Sequence, residues 1–211
     1  LGTGVSMFCI LLAAYPLSRT SKQFPKRSIF MWILVFCMLF NGGTVPWYIT
    51  MKGYGLVDSI WGLVLGMGLN AYNLILAVNF FKNLPAELEE AALVDGAEPW
   101  KCLVLIFIPL AKPVIATIAL FTIVQYWNEF FRGMVLSARQ SNYPLQTYIQ
   151  QLVVTYDFST MNVEQIAQVQ KLNKQSLDAA KIVVAMIPVL AVYPFLQKYF
   201  VSGITLGSIK G

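Results

Sequence analysis

Long apolar stretches that are almost free of charge alternate with short polar segments along the chain. The stretches lie at about 1–18, 28–51, 59–81, 103–128 and 182–200, and the charges inside them are Lys112 and Lys198. A helix of about 20 residues crosses the roughly 30 Å hydrocarbon core of a bilayer. The pattern therefore predicts an all-α, multi-pass membrane bundle with five spans, and residues 1–211 forming one transmembrane domain.

The composition excludes an ordinary soluble domain. Hydrophobic residues make up 57% of the chain and charged residues 12%, whereas about a quarter of the residues of soluble proteins are charged. The chain has no histidine, and its three cysteines lie in or beside apolar stretches. Neither a zinc site nor catalysis by a nucleophile with a histidine base is indicated. We interpret the formal charge of +5 as topological and not as a nucleic-acid interface.

The distribution of basic residues predicts the orientation of the spans. Segment 19–27 holds four basic and no acidic residues, as cytoplasmic loops usually do. Alternation of the spans then places loop 83–101 and the carboxyl-terminal tail in the cytoplasm, and segment 139–181 outside.

Prolines interrupt the predicted spans. They are Pro46, Pro109, Pro113, Pro188 and Pro194. Because each removes a backbone donor, kinks or breaks are expected nearby. Broken helices are typical of transport paths, but proline is also commoner in membrane helices than in soluble ones, and both interpretations stay open.

Loop 83–101 predicts a short helix over about 86–95. Its signals are a proline at the start, acidic residues in the first turns, and a glycine followed by a proline at the end. These residues are Pro85, Glu87, Glu89, Glu90, Gly96 and Pro99.

One face of this helix is small and largely apolar. Leu88, Ala91, Ala92 and Asp95 are spaced at i, i+3, i+4 and i+7. They therefore share a side on which another backbone can approach closely. From the residues alone, a docking element and a connector packed on the protein's own helix ends are equally good interpretations.

The same loop resembles the EAA loop of permease subunits of ATP-binding-cassette (ABC) importers. The matching residues are Glu90-Ala91-Ala92, Gly96, Ile106 and Ile108-Pro109, with Ile108 where the family usually has leucine. Segments 95–97 and 109–113 resemble the carbohydrate-uptake branch, whose familiar members are the maltose-type permeases.

The resemblance extends over nearly the whole chain. It includes segments 14–19, 42–46 and 126–130. The carboxyl-terminal segments 193–201 and 203–211 are similar to permeases for oligosaccharide, aldouronate or lipoprotein-linked sugar uptake. Since family members normally have six spans, the resemblance implies that a first helix and the start of the second are missing before residue 1.

The resemblance implies a transport subunit of the bacterial cell membrane and not an enzyme. Two such permeases form the pathway, two cytoplasmic ATPase subunits hydrolyse ATP with Mg²⁺, and an extracytoplasmic sugar-binding protein delivers the substrate. The chain itself is expected to bind no cofactor or metal, and it has no GxxxxGK[ST] phosphate loop.

The predicted helix over 86–95 becomes, by the resemblance, the coupling helix that seats in a cleft of the ATPase. The residues expected to couple the permease to the ATPase are Glu87, Glu90, Ala91, Ala92, Asp95, Gly96, Ala97, Ile106 and Pro109.

Polar and aromatic residues within the third and fourth spans are candidate substrate contacts. They are Asn70, Tyr72, Asn73, Asn79, Gln125, Tyr126 and Asn128. Sugars need hydroxyl partners and stacking faces, but polar residues also hold membrane helices together. The structural interpretation is preferred at each position.

Two further segments have open roles. Segment 139–181 is long and rich in glutamine, and it is expected either to meet the binding protein or to form a solvated helical cap. The tail 203–211 is expected either to contact the ATPase or to fray.

The nearest rival function is an ABC permease for a non-sugar solute, because such a permease shares the loop. An ion-coupled secondary carrier is less favoured, since the candidate intramembrane charges Glu129 and Lys112 lie near span ends. A membrane-bound enzyme is a third possibility, disfavoured by the missing histidine.

Overall fold

The computed structural model describes residues 1–154, 162–163, 179–191 and 193–194. Within these residues the chain is helical and contains no strand, which confirms the predicted fold class. The helices are α1 (Gly2–Ser18), α2 (Arg27–Leu39), α3 (Thr44–Gly53), α4 (Ile60–Gly66), α5 (Ala71–Lys82), α6 (Ala86–Val94), α7 (Pro99–Cys102), α8 (Ile108–Leu110), α9 (Lys112–Trp127), α10 (Phe131–Leu136), α11 (Leu145–Val154) and α12 (Ala179–Ala191). A π-helical turn, Leu103–Phe107, joins α7 to α8, and a 3-10 turn, Gln140–Asn142, precedes α11.

Three of the predicted spans are bent helix pairs and not continuous helices. The axes bend by 119° between α2 and α3, by 57° between α4 and α5, and by 83° between α7–α8 and α9. Gly43 and Gly68, at the first two breaks, have φ values of 88° and 64°, which glycine adopts without steric cost. Pro113 stands in the first turn of α9, where its missing N–H is tolerated. Prolines follow the breaks before α3 and α9, whereas the break before α5 depends on Gly68.

No single helix in the described ranges is long and apolar enough to cross a bilayer, but the three bent pairs meet that requirement together by length and composition. The predicted first span, 1–18, coincides with α1. Of the predicted last span, residues 182–191 belong to α12, in which Pro188 causes no break, and residues 195–200 lie outside the described residues.

The core is built around α1, which packs most extensively on α5 and α9. Ile10 and Ala14 of α1, Ala77 and Phe81 of α5, and Ile118 of α9 are shielded from solvent and belong to one apolar cluster. The alanines allow the helices to approach closely, which is how membrane helices gain packing energy. In contrast, α2 has no buried residue.

The loops gather at two ends of this bundle. Arg19, after α1, forms an ion pair with Glu89 of α6. Asp58, between α3 and α4, accepts a hydrogen bond of 2.8 Å from the Asn142 amide. Segment 19–27 therefore shares an end with loop 83–101, and the α3–α4 connection shares an end with the start of segment 139–181. The predicted alternation of the spans requires these pairings. Which of the two ends faces the cytoplasm remains a prediction.

Candidate functional site: the coupling loop and a polar helix interface

The helix predicted over 86–95 is present as α6, which ends one residue earlier, and Pro85 precedes its first residue. Its end is a Schellman turn: the Ala97 N–H donates to the Ala92 carbonyl at 2.8 Å and the Gly96 N–H to the Leu93 carbonyl at 3.1 Å. Gly96 has a φ of 78°, which confirms the positive φ predicted there. The turn aims the chain into α7, which Pro99 opens.

The predicted coupling residues divide between the surface and the bundle. Those that are exposed are Glu87, Glu90, Ala91, Asp95, Gly96 and Pro109, and those that are half-buried are Ala92, Ala97 and Ile106. The half-buried residues pack on the core cluster. The predicted small face is therefore split, because Ala92 turns towards the protein while Leu88 and Ala91 stay exposed.

One acidic residue of α6 points into the bundle. Glu89 is 7% exposed, and its carboxylate forms an ion pair with the Arg19 guanidinium and accepts a hydrogen bond of 2.7 Å from the Tyr15 hydroxyl. The guanidinium stacks on the rings of Tyr15 and Phe107, 4.6 and 4.5 Å from their centroids. Burial lowers the pKa of the Arg19 guanidinium from its ordinary value, because desolvation disfavours the charged form.

The sequence did not single out Glu89 for this contact. Glu89 and Glu90 are adjacent and chemically identical, so composition and hydropathy do not distinguish them. Their positions around the helix differ: Glu89 and Ala92 stand at i and i+3, so both lie on the inward side of α6. Finding Glu89 from the sequence requires knowing that a basic residue at the end of α1 lies opposite.

A polar interface joins α5 to α9 away from the coupling loop. The Asn70 amide donates to the Gln125 side-chain oxygen at 3.2 Å. The Asn73 amide, 1% exposed, donates to the Thr122 hydroxyl at 3.3 Å. Asn70 also caps α5, since its side-chain oxygen accepts from the Asn73 N–H. Three of the predicted pathway residues thus bond across or within this helix interface.

Tyr126 links α9 to two other helices. Its hydroxyl donates to the Val64 carbonyl of α4 at 2.8 Å and lies 3.2 Å from the Ser6 hydroxyl of α1. Tyr72, Asn79 and Asn128 are exposed and make no side-chain hydrogen bond within the described part of the chain. The structure therefore brings four predicted pathway residues into helix contacts and leaves the other three open.

Glu129, considered above as an intramembrane charge, has a local partner. Its carboxylate accepts a hydrogen bond of 2.8 Å from the Arg132 N–H and forms an ion pair with the Arg132 guanidinium. The first of these bonds satisfies one of the unpaired N–H groups at the start of α10. A structural role accounts for this charge without ion coupling.

A cavity of about 540 Å³ lies at the other end of the bundle, with both polar and apolar lining residues, among them Asp58, Asn142 and Leu63. The pKa of the Asp58 carboxyl is lowered, chiefly by the hydrogen bond from the Asn142 amide. Of the glutamines noted in segment 139–181, those at 165, 168, 170 and 175 lie outside the described residues, as does the tail 203–211.

Comparison with known proteins decides the family. Residues 7–206 match the family described as the binding-protein-dependent transport system inner membrane component. The chain belongs to this family. The permease is 40% identical over 210 residues to Protein LplC of Bacillus subtilis (strain 168), with 100% of this chain and 70% of LplC covered.

Two further similarities agree with this assignment. The permease is 41% identical over 211 residues to the polygalacturonan/rhamnogalacturonan transport system permease protein YtcP of the same organism, with 100% of this chain and 73% of YtcP covered. The crystal structure of a bacterial ABC transporter involved in the import of the acidic polysaccharide alginate matches with a TM-score of 0.84 at 37% identity, over 94% of this chain and 70% of that chain.

Family membership confirms the resemblance that the EAA loop indicates. The chain is a permease subunit of a binding-protein-dependent ABC importer, and it is a transport subunit and not an enzyme. As an inner membrane component, the permease works with an ATPase and a substrate-binding protein.

Proposed function

We propose that the permease forms half of the translocation pathway of a carbohydrate importer in a bacterial cell membrane, which the chain crosses several times. A second permease completes the pathway, two ATPase subunits bind ATP and Mg²⁺, and an extracytoplasmic sugar-binding protein delivers the substrate. The permease itself holds no cofactor or metal.

The substrate class is supported by the relatives. YtcP is described as transporting polygalacturonan and rhamnogalacturonan, and the alginate importer handles an acidic polysaccharide. At about 40% identity over the full chain, a shared substrate class is a reasonable extension. The proposed substrate is an oligosaccharide, and the relatives favour one that contains uronic acids.

The coupling role of α6 is carried by one observation. This helix presents exposed apolar residues, Leu88, Leu93 and Val94 at 41%, 44% and 87% exposure, beside exposed Glu90 and Ala91, on a loop that is predicted to be cytoplasmic. Exposed apolar side chains on a polar loop are typical of a protein contact site. We assign this surface to the ATPase.

We assign the substrate pathway to the predicted residues that are exposed and make no side-chain hydrogen bond in the described part of the chain. Tyr72 and Asn79 are seven residues apart on α5, so they lie on one side of the helix and roughly 10 Å apart along it. An aromatic face and an amide at this separation suit a sugar. The bonds of Asn70, Asn73, Gln125 and Tyr126 support a structural role for those four residues, and Asn128 is retained as a third open group at the end of α9.

The test is reconstitution of the permease pair with its ATPase and binding protein in lipid vesicles. We expect a uronic-acid oligosaccharide or a neutral oligosaccharide to raise ATP hydrolysis and to enter the vesicles, and Gly96→Val to lower the stimulation while the subunits still assemble. Stimulation by a non-sugar solute and by no sugar contradicts the substrate class. Stimulation that is unchanged in Gly96→Val contradicts the coupling role of the loop.

A further inference from the structure

The coupling loop has one charged residue that faces the protein. Loop 83–101 lies wholly within the described residues, and its other charged residues, Glu87, Glu90, Asp95, Glu98 and Lys101, are exposed. Glu89 is buried and has both carboxylate oxygens engaged: one accepts from the Tyr15 hydroxyl and the other pairs with Arg19. A buried carboxylate is tolerated only when it is paired in this way.

The partners of Glu89 belong to a different helix and are themselves held in place. Tyr15 lies in the last turns of α1, and Arg19 follows the end of α1. The Arg19 guanidinium donates to the Ser18 hydroxyl at 2.8 Å and lies over the rings of Tyr15 and Phe107. These contacts hold Arg19 in addition to the ion pair, which reduces the side-chain entropy that is lost in forming the pair.

The contact reaches the rest of the bundle through aromatic rings. Phe107 ends the π-helical turn before α8 and packs edge-on against Tyr15 at 5.1 Å and Phe81 of α5 at 5.4 Å. π-Helical turns often mark functional sites. Because α1 packs on α5 and α9, the Glu89 contact connects α6 to the centre of the bundle.

We infer that the Glu89 carboxylate, held by Arg19 and Tyr15, is the positioning contact that fixes the coupling helix to the end of α1 and transmits its movement to the bundle. This inference rests on the proposed function of α6 as the site of ATPase contact. By this inference the two neighbouring glutamates have different roles: Glu90 faces the ATPase, and Glu89 faces the permease itself.

The experiment compares variants of the complete importer in nanodiscs. Glu89→Gln keeps an acceptor for Tyr15 and removes the charge, and Arg19→Gln removes the opposite charge. Tyr15→Phe removes one hydrogen bond. Glu98→Gln is the matched control, because Glu98 is an exposed acid of the same loop whose side chain makes no cap bond.

Two measurements are made on assembled complexes. The first is hydrogen exchange of amides 86–97 without substrate, which we expect to accelerate about tenfold in Glu89→Gln, since hydrogen bonds to charged groups stabilise by about that factor or more. The second is the number of substrate molecules transported per ATP hydrolysed, which we expect to fall several-fold. Tyr15→Phe is intermediate in both measurements, and Glu98→Gln matches the wild type.

A double-mutant cycle separates positioning from simple stability. If the two charges act as a pair, Arg19→Gln combined with Glu89→Gln changes the transport ratio no more than either single change. Additive effects, or equal exchange rates in Glu89→Gln and Glu98→Gln, overturn the inference. Loss of assembled complex with an unchanged transport ratio in the complexes that remain also overturns it. Failure of every sugar to stimulate the wild type would refute the proposed substrate, while the exchange rates would still report on the Glu89 contact.

Discussion

Substitutions at Gly96 test the effect of backbone conformation separately from the effect of a steric clash. Its φ is 78°, and a Cβ placed on Gly96 has no neighbouring atom within 4 Å. A side chain there is penalised by the left-handed conformation and not by a clash within the permease. Holding an L-residue in this conformation costs about 1–2 kcal/mol, with β-branched residues at the upper end.

The alternative for a substituted loop is to abandon the turn. That change loses the hydrogen bonds from the Ala97 and Gly96 N–H groups, which together contribute about 2 kcal/mol. The two routes therefore cost Gly96→Val about the same, so the strain lowers the ratio of correctly turned to re-turned loops by roughly thirtyfold, from about 30:1 to about 1:1. Gly96→Asn is penalised least, because asparagine tolerates positive φ, and Gly96→Ala is intermediate.

The assay is binding-protein-stimulated ATP hydrolysis per assembled complex across the series Gly, Asn, Ala, Val. We expect activity to decrease in that order, while the amounts of permease in the membrane stay equal. Wild-type stimulation in Gly96→Val refutes the reasoning. Equal loss in Gly96→Asn and Gly96→Val also refutes it, because the size of the side chain against the ATPase would then matter and not φ.

Three further predictions concern the bundle. Asn73→Leu should lower the midpoint of thermal unfolding only slightly, because polar contacts between membrane helices average about 0.6 kcal/mol; a raised KM for the transported solute would instead identify Asn73 as a substrate contact. Gly62→Ala should lower stability by about 1–3 kcal/mol, since its Cβ would lie 2.1 Å from the Leu56 carbonyl oxygen, and unchanged thermal unfolding would contradict that packing. The pKa of Asp58 is lowered chiefly by the Asn142 amide, so its stabilising contribution is present at neutral pH and lost as the pH falls below about 4. The unfolding temperature of the wild type should therefore exceed that of Asp58→Ala by more at pH 7 than at pH 3, and a difference that does not depend on pH would show that the charge is irrelevant.

Local signals predicted the coupling loop well. The acidic first turn, Gly96 and Pro99 set the limits of α6 to within one residue, because caps and turn residues act over a few positions of the chain. The EAA pattern placed the chain in its family for the same reason, since its residues lie close together in the sequence. Hydropathy located the apolar stretches but not the bend before α5, because mean hydropathy does not register a glycine that takes positive φ.

What the sequence alone determined is the class of protein, the all-helical fold, the position of α6 and the family of the permease. These follow from composition, periodicity and short-range caps. Tertiary structure decided which of two adjacent glutamates faces the bundle and which polar residues of α5 stay open. Both outcomes depend on the rotation of a helix against neighbours distant in sequence, such as Arg19 for Glu89. Side-chain type does not encode that rotation, because it is set by the packing of α1, α5 and α9 together.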